Sequence, residues 1–240
     1  MSGSIDLNCD LGETNPPYRP GSDDEILSAV TSVNIACGFH AGGPAVMRGT
    51  ARAAIARGVA IGAHPGLADR EGFGRRPMKL APAEVYELVL YQLGALEAMV
   101  RGEGGKLRHV KPHGALYHMV STDKKLAGAL ADAVCRFDIK LVLVGFPDSE
   151  LIHAGRKAGL RTVAEGFADR KYLPDGTLAP RSQPDALLTD DTEVAEQALR
   201  LAKAGKVETI CVHGDGPHAA RFARAARTRL EQAGIQLRSL

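Results

Sequence analysis

Four short apolar segments of this chain each run into a histidine, a residue type suited to proton transfer and to metal binding. They are, in chain order, His40, His64, His113 and His213. A fifth segment runs into Asp10, and Glu13 follows three residues later. If these segments are parallel strands of a barrel, their carboxyl ends meet at one rim, where barrel enzymes place their active sites. The pattern therefore predicts one functional site that draws imidazoles and carboxylates from five strands.

Side-chain alternation assigns these polar groups to the interior of the barrel. Side chains along a strand point to its two faces in turn, so residues two apart share a face. Such same-face sets are Asn8 with Asp10, Asn34 with His40, and Lys111 with His113. The opposite faces are apolar, as expected of faces that contact helices. We therefore predict that the polar faces point inward and that Asn8 and Asn34 bind substrate.

The combination of Asp10, His40 and His64 could hold a divalent metal ion. One carboxylate and two imidazoles suit zinc, manganese or nickel and leave positions open for water, which the metal would acidify. The local pattern His-Glu-x-x-His is absent, so the same groups could instead act through hydrogen bonds and general acid–base chemistry. The sequence leaves both possibilities open.

Lys111 is the one lysine placed among these strand ends. Because it precedes Pro112, its backbone is held extended up to the reactive side chain. Its ammonium could bind a carboxylate or phosphate, or stabilise an oxyanion. The alternative is an interior salt bridge to Asp10 or Asp215.

The last of these segments adds two more candidates. Asp215 follows His213 closely and could orient it, act as a base, or cap the next helix. Cys211 shares the face of His213 and is the thiol best placed to serve as a nucleophile. We include Asp215 with Asp10, Glu13, Lys111, His113 and His213 in the predicted catalytic set.

Basic residues in two loops could bind an anionic substrate. Residues 72–77 form a glycine-flanked loop, which could close over the site or remain a solvated loop. Residues 166–189 form the longest stretch without a clear element, and long loops in compact domains are often functional. The candidate substrate-binding arginines are Arg75, Arg76, Arg170 and Arg181.

Strand-like and helix-like segments alternate along the chain seven times. This order predicts a single α/β domain over residues 1–240, a closed or nearly closed (β/α) barrel, with a doubly wound open sheet as the alternative. The second strand is predicted over residues 33–39, and the clearest helix over 83–100. A net charge of +2 in 240 residues gives no case for nucleic acid or membrane as the main partner. We expect a cytoplasmic protein with no signal peptide.

Several motifs together resemble one known family. They are DLNCDLGE (6–13), NIACGFHAG (34–42), GAHPG (62–66), GFGRR (72–76), VKPHGALY (110–117), FADR (167–170) and VHGD (212–215). Because they span nearly the whole chain in order, the chain is identified as a member of the LamB/YcsF family. It departs from the family's usual residues at Gly43, at His118 and in the loop 14–18.

The resemblance implies a fold and an activity. The fold is a distorted seven-stranded (β/α) barrel of the glycoside hydrolase and deacetylase type. The activity is the ATP-dependent opening of 5-oxoproline to L-glutamate, with release of ADP and phosphate, shared with 5-oxoprolinase subunits B and C. The chain lacks a phosphate-binding glycine loop, so ATP is expected to be handled with those subunits. Related deacetylases hold a metal with an Asp-His-His set, which maps by analogy onto Asp10, His40 and His64.

These implications give a working hypothesis for the reaction. Subunits B and C would phosphorylate the lactam, and this chain would add water to it. Asp10 or Asp215 would be the base and His113 or His213 the acid. Lys111 and Arg76 would hold phosphate or carboxylate, while His40 and His64 position water or a metal. The alternatives are a stand-alone metal-dependent amidase or deacetylase, and a carrier protein of the complex without chemistry of its own; a homo-oligomer is compatible with each.

Overall fold

Parallel strand pairing closes the chain into a barrel. The computed structural model describes residues 3–13, 23–181, 183–216 and 218–240. Its strands are β1 (Ser4–Leu11), β2 (Ser32–Ala36), β3 (Ala60–His64), β4 (Leu107–Val110), β5 (Val142–Gly145), β6 (Thr162–Phe167), β7 (Thr209–Val212) and β8 (Gln236–Leu237). Its helices are α1 (Asp23–Ala29), α2 (Pro44–Ala56), α3 (Pro82–Gly102), α4 (Gly114–Thr122), α5 (Lys124–Phe137), α6 (Glu150–Lys157), α7 (Asp191–Ala204) and α8 (Ala219–Gln232).

Strand β1 completes the closure because it pairs with both β2 and β7. The first seven strands pair in chain order, and β1 is parallel to both neighbours. The short strand β8 pairs only with the beginning of β1, at Ser4 and Ile5. Within the described residues this is a closed seven-stranded parallel barrel, so the predicted barrel is confirmed and the open-sheet alternative is wrong.

Alternation along the strands separates an apolar outer layer from a polar interior. On β1, Leu7 and Cys9 lie in the hydrophobic core between barrel and helices. Asp6 on the same strand accepts hydrogen bonds from Ser32 at 2.6 Å and Thr209 at 2.5 Å. The sequence predicts an apolar stripe on helix α3, of which Leu88 is half-buried and five members are fully buried: Val85, Val89, Leu93, Leu96 and Val100. The predicted division of the strand faces therefore holds where the strands are regular.

The second strand ends earlier than the sequence predicts. It stops at Ala36, because Gly38 has φ +95° and turns the chain out of the extended conformation. Arg70 fixes this turn by donating to the Gly38 carbonyl at 2.8 Å. His40 therefore reaches the rim through a turn and not through strand alternation, which corrects the predicted reason for its placement.

The described residues of the stretch 166–189, all but residue 182, form part of a strand and two bridges. Its first residues belong to β6, and two antiparallel bridges follow, Arg170 with Leu187 and Tyr172 with Leu178. Helix α4 and strand β8 were absent from the predicted elements. Across the described residues, no helix combines the length and apolar character needed to cross a membrane.

Candidate functional site

A buried lysine lies at the centre of the site. Lys111 follows β4 directly, and its ammonium lies 2.8 Å from Asp10 Oδ1 and 3.0 Å from Glu165 Oε1. It also donates to Cys211 Sγ at 3.0 Å. The interior salt bridge that the sequence left open is therefore present with Asp10. The second carboxylate that Lys111 contacts is Glu165, whereas Asp215 pairs with Arg75.

The charges of this ion pair are fixed near neutral pH. Burial lowers the pKa of Lys111, but attraction to Asp10 and Glu165 outweighs it and raises that pKa well above its usual value. Burial also raises the pKa of Asp10, yet the charges of His64 and Lys111 hold it well below its usual range. Burial raises the pKa of the Cys211 thiol well above its usual value, so Cys211 lacks the thiolate that a nucleophile needs.

Glu165 and Tyr117 belong to the site, although the sequence analysis did not select them. Glu165 on β6 is fully buried, and its Oε2 accepts a hydrogen bond from the Tyr117 hydroxyl at 2.9 Å. The sequence does carry a signal for Glu165, because this carboxylate ends a short strand-like segment, residues 161–165. Tyr117 lies on α4, a helix that the pattern did not predict.

Asn8 and Asn34 lie beneath the pocket, not in its lining. Asn34 Nδ2 donates to Asn8 Oδ1 at 2.7 Å and to Asp10 Oδ1 at 2.8 Å. Its own oxygen accepts from His109 Nε2 at 2.7 Å. Burial and the charge of Lys111 lower the pKa of His109 to about 3, which keeps this imidazole neutral. The predicted substrate-binding role of both asparagines is corrected to support of the site from below.

Three imidazoles surround one carboxylate at the rim. Glu13 Oε1 lies 3.1 Å from His40 Nε2, 3.2 Å from His113 Nδ1 and 3.6 Å from His64 Nε2. The His40 and His113 rings stack with centroids 3.7 Å apart. Hydrogen bonds from His113 and His40 outweigh burial and lower the pKa of Glu13. We call these four residues the Glu13 cluster.

The Glu13 cluster has the donor set of a transition-metal site. One ligand atom from each member lies within 4.8 Å of the others. His64 Nδ1–H donates to the Lys111 carbonyl at 2.7 Å, and His113 Nε2–H donates to the Phe73 carbonyl at 2.8 Å. Carbonyl oxygens only accept, so these bonds place protons on the outer nitrogens and turn the opposite nitrogens toward the cluster, where they can bind a metal once they are deprotonated. The residues therefore fit a divalent metal.

This arrangement corrects the ligand set expected from the sequence. His40 and His64 do converge, but the carboxylate that joins them is Glu13, and His113 is a third imidazole. Asp10 Oδ2 lies 3.4 Å from His64 Nε2 and groups instead with Cys211 and His213. Asp10 belongs instead with Lys111 and Glu165, because its Oδ1 binds the Lys111 ammonium. We call these three residues the lysine centre.

The loop after β3 separates the two arginines that the sequence treated together. Asp69 accepts from the Gly72 backbone N–H at 3.0 Å and from Arg76 Nε at 2.9 Å. Arg76 is thereby held on the outside of the loop, with its side chain 62% exposed. It is not among the residues that line the pocket, so the predicted anion-binding role of Arg76 is corrected to a structural one.

Arg75 points the other way and lines the pocket. Its guanidinium forms an ion pair with Asp215 and lies 4.8 Å from the centre of the Phe73 ring. Phe73 has φ +53°, a conformation that non-glycine residues rarely adopt and that marks a strained turn. Asp215 therefore ties the loop after β7 to the loop after β3.

His213 is oriented by Asp169. The Asp169 carboxylate accepts from the His213 backbone N–H at 3.1 Å and from its Nδ1 at 3.0 Å. The hydrogen bond fixes the proton on Nδ1 and leaves Nε2 as the nitrogen that can accept a proton. His213 lines the pocket. The predicted roles of Asp215 in orienting His213 and in capping the next helix are therefore wrong: Asp169 orients His213, and α8 begins after His218.

The Asp10–Lys111 ion pair, Arg75 and three of the imidazoles line one pocket of about 470 Å³. Its floor is formed by Asp10 and Lys111, and its sides carry His64, His113 and His213. The outer wall is formed by Phe146, Phe167, Arg170 and residues 178–181, with His118 at the mouth. Gly43 lies directly before α2 in an extended conformation. The loop 14–18 lies outside the described residues.

Comparison with known proteins identifies the family of this chain. The model of the LamB/YcsF family matches residues 5–240. The chain is 53% identical to the A subunit of 5-oxoprolinase from Methylococcus capsulatus, covering 100% of this chain and 97% of that protein. It is 51% identical to the A subunit of 5-oxoprolinase from Bacillus subtilis, covering 98% and 96%.

Solved structures show the same fold. The crystal structure of the lactam utilization protein from Thermus thermophilus superposes with a TM-score of 0.91 at 48% identity, covering 99% of this chain and 100% of that one. A family 4 carbohydrate esterase from Streptomyces lividans shares the fold alone, at TM-score 0.53 and 13% identity, covering 98% of this chain and 91% of that one. The strand-end site, the full-length family match and the shared barrel lead to one conclusion: the chain belongs to the LamB/YcsF family.

Proposed function

We propose that this chain supplies the lactam-opening site of an ATP-dependent 5-oxoprolinase, which converts 5-oxoproline to L-glutamate together with subunits B and C. The observation that carries the proposal is the identity of 53% and 51%, over almost their full length, to the A subunits of two 5-oxoprolinases. The buried charged pocket supports it, because its 470 Å³ suits a small polar metabolite. Because the reaction consumes ATP, we place it in the cytoplasm.

The order in which the bonds of the phosphorylated lactam break determines which groups the site must supply. Transfer of the γ-phosphoryl group of ATP to the amide oxygen gives a phosphorylated lactam and ADP, a step that we assign to B and C. Water then adds to the ring carbon. The bond from this carbon to nitrogen must break first, because loss of phosphate first would regenerate the lactam. The product is γ-glutamyl phosphate, and a second water releases glutamate and phosphate.

The proposed roles follow from the contacts of each residue. His213, held by Asp169, accepts the proton of the attacking water at Nε2. The Lys111 ammonium faces the developing negative charge on oxygen, with Asp10 and Glu165 keeping it in place and Tyr117 donating to Glu165. His213, now protonated at Nε2, then passes that proton to the departing ring nitrogen, because both ring nitrogens of His113 are already engaged.

We also propose that the Glu13 cluster binds a divalent metal. Its ligands would be Glu13, His40, His64 and His113. When bound, the ion would act as a Lewis acid toward substrate oxygen or water. Elemental analysis of the purified chain tests this proposal. We expect about one zinc, manganese or nickel per chain, lost in Glu13→Gln and retained in the control Glu103→Gln, whose carboxylate is bound by Arg48 and Arg52 on the surface.

Glutamate release from 5-oxoproline tests the proposed activity. The chain alone, B with C, and all three proteins together are each assayed with and without ATP. We expect glutamate only from the complete mixture with ATP. No glutamate from the complete mixture, with every protein folded, contradicts the proposal.

The Glu13 cluster also favours a second candidate, a stand-alone metal-dependent amidase or deacetylase. This alternative requires hydrolysis of an amide or an acetylated sugar by the chain alone, without ATP. It also requires loss of that hydrolysis on chelation. A panel of such substrates, assayed with the isolated chain, separates it from the ATP-dependent reaction.

A further inference from the structure

Two arginines face the outer part of the pocket, and neither forms a salt bridge with a carboxylate within the described residues; the charge of nearby Asp169 offsets theirs only in part. Arg170 is 4% exposed and donates from Nη2 to the Ala179 carbonyl at 2.7 Å. Its buried Nε–H has no acceptor among the described residues. Arg181 lines the same wall and makes no ion pair within the described part of the chain. A buried donor without an acceptor is costly, so the pair indicates a missing anion.

The charged groups next to the two arginines are already bound to other partners. Both oxygens of Asp169 bind His213, and Arg75 is paired with Asp215. Burial and repulsion from Arg181 lower the pKa of Arg170 to about 10, which still leaves it charged at neutral pH. Two positive charges therefore share one wall of the pocket.

We propose that Arg170 and Arg181 form an anion subsite that binds a phosphoryl group. Two guanidinium groups suit a tetrahedral dianion, because each presents parallel N–H donors to a pair of oxygens. Lys111 is less suited to hold this anion, since it is already balanced by two carboxylates on the pocket floor. Resting on the proposed function, the group bound here is the phosphate of the activated lactam.

Contacts with α7 and with the surrounding loop hold Arg170 in place. The Arg170 carbonyl accepts from Gln197 Nε2 at 2.6 Å, and its guanidinium is tied to the Ala179 carbonyl. The backbone of Arg170 also pairs with Leu187 across the loop. The Arg170 side of the subsite is therefore formed before the ligand arrives, which reduces the ordering cost of binding.

His118 at the pocket mouth offers an internal reporter. Burial and the charges of Arg170 and Arg181 lower the pKa of its imidazole. A dianion bound between the arginines would offset their charge and raise that pKa. The NMR titration of His118 therefore detects an occupied subsite independently of any enzymatic activity.

The experiment measures binding of inorganic phosphate to the full chain by calorimetry, with acetate as the carboxylate probe. Variants are Arg181→Ala and, because Arg170 also supports the loop, the milder Arg170→Lys. The matched control is Arg224→Ala, an exposed arginine on α8 that pairs with Glu25 far from the pocket. We expect one phosphate per chain, binding weakened at least about tenfold in Arg181→Ala and unchanged in the control. Acetate is expected to bind at least about tenfold more weakly than phosphate.

Three outcomes overturn the subsite: no phosphate binding, equal binding by Arg181→Ala, or acetate bound as tightly as phosphate. A His118 pKa that phosphate does not raise overturns it as well. The result is separable from that of the proposed function. Phosphate binding that depends on Arg181 supports the subsite even if the complete mixture releases no glutamate. Glutamate release with Arg181-independent phosphate binding overturns the subsite and leaves the proposed function standing.

Discussion

At the scale of single residues, the site is organised by buried charges that hold each other in place. Lys111 forms ion pairs with two carboxylates, Asp10 and Glu165, that are both removed from water. Removal of one partner from such a group leaves charge that neither solvent nor protein compensates. Stability and chemistry therefore depend on the same three side chains.

We predict that Lys111→Met destabilises the fold by about 3–5 kcal/mol, because two carboxylates remain buried without their cation. The double variant Lys111→Met with Glu165→Gln removes one of those charges. It should recover more than about 1 kcal/mol of that loss. Urea unfolding measures both values. A single variant as stable as the wild type would contradict the structural importance of the lysine centre.

At the scale of elements, turns with unusual backbone conformations deliver the reactive groups. Gly114 begins α4 with φ +53°, directly after His113, and a Cβ there would lie 2.7 Å from the Gly74 carbonyl oxygen. The same carbonyl accepts from the Ala115 N–H at 2.9 Å. The start of α4 and the loop that carries Arg75 are therefore packed backbone against backbone.

We predict that Gly114→Ala destabilises the protein by about 1–3 kcal/mol, because the new methyl group meets backbone and the left-handed conformation disfavours a side chain. The matched control is Gly128→Ala, in the middle of α5, where a Cβ meets open space. The control should stabilise by up to about 1 kcal/mol through helix propensity. Thermal unfolding of the two variants compares them directly, and shifts of the same sign would contradict this interpretation of the turn.

At the scale of the whole molecule, the barrel interior is a continuous polar network. Hydrogen bonds run from Asp6 through Thr209 to Asn8, and from Asn8 through Asn34 to Asp10. His109 joins the network as a neutral imidazole with a pKa of about 3. The unfolded chain binds a proton at that histidine near pH 6.5, whereas the folded chain does not.

This difference predicts a dependence of stability on pH. A depressed histidine pKa makes the unfolded state bind more protons, so stability is lost as pH falls from about 6.5 toward 3. Between pH 6 and 5 the His109 contribution approaches about 1.4 kcal/mol per pH unit. Denaturant unfolding at these two pH values, in chelator, should show a slope reduced by nearly this amount in His109→Gln. An unchanged slope would mean that folded His109 takes up the proton.

The sequence predicted the parts of the fold and site that depend on regular alternation. The closed barrel, the α3 stripe and the convergence of His64, His113 and His213 follow from residue patterns within single elements. Contacts between distant segments do not follow from such patterns. Alternation does not specify which carboxylate meets which base, so the sequence offers Asp215 as one candidate for orienting His213, whereas Asp169 occupies that position. Strand alternation also does not predict the turn at Gly38, which precedes His40. The carboxylate beside His40 is therefore Glu13 and not the expected Asp10.

The central claim is that this chain contains the ring-opening site, and the Asp169–His213 pair tests it most directly. The measurement is glutamate release by the three-protein mixture with ATP, comparing wild type, Asp169→Asn and the control Asp132→Asn, which lies exposed on α5. Without its carboxylate, His213 loses the fixed tautomer that lets Nε2 accept a proton. We predict that Asp169→Asn reduces glutamate release by about 10²–10⁴-fold and that the control retains it. Release by Asp169→Asn within about twofold of the wild type, with the variant folded, would contradict the claim.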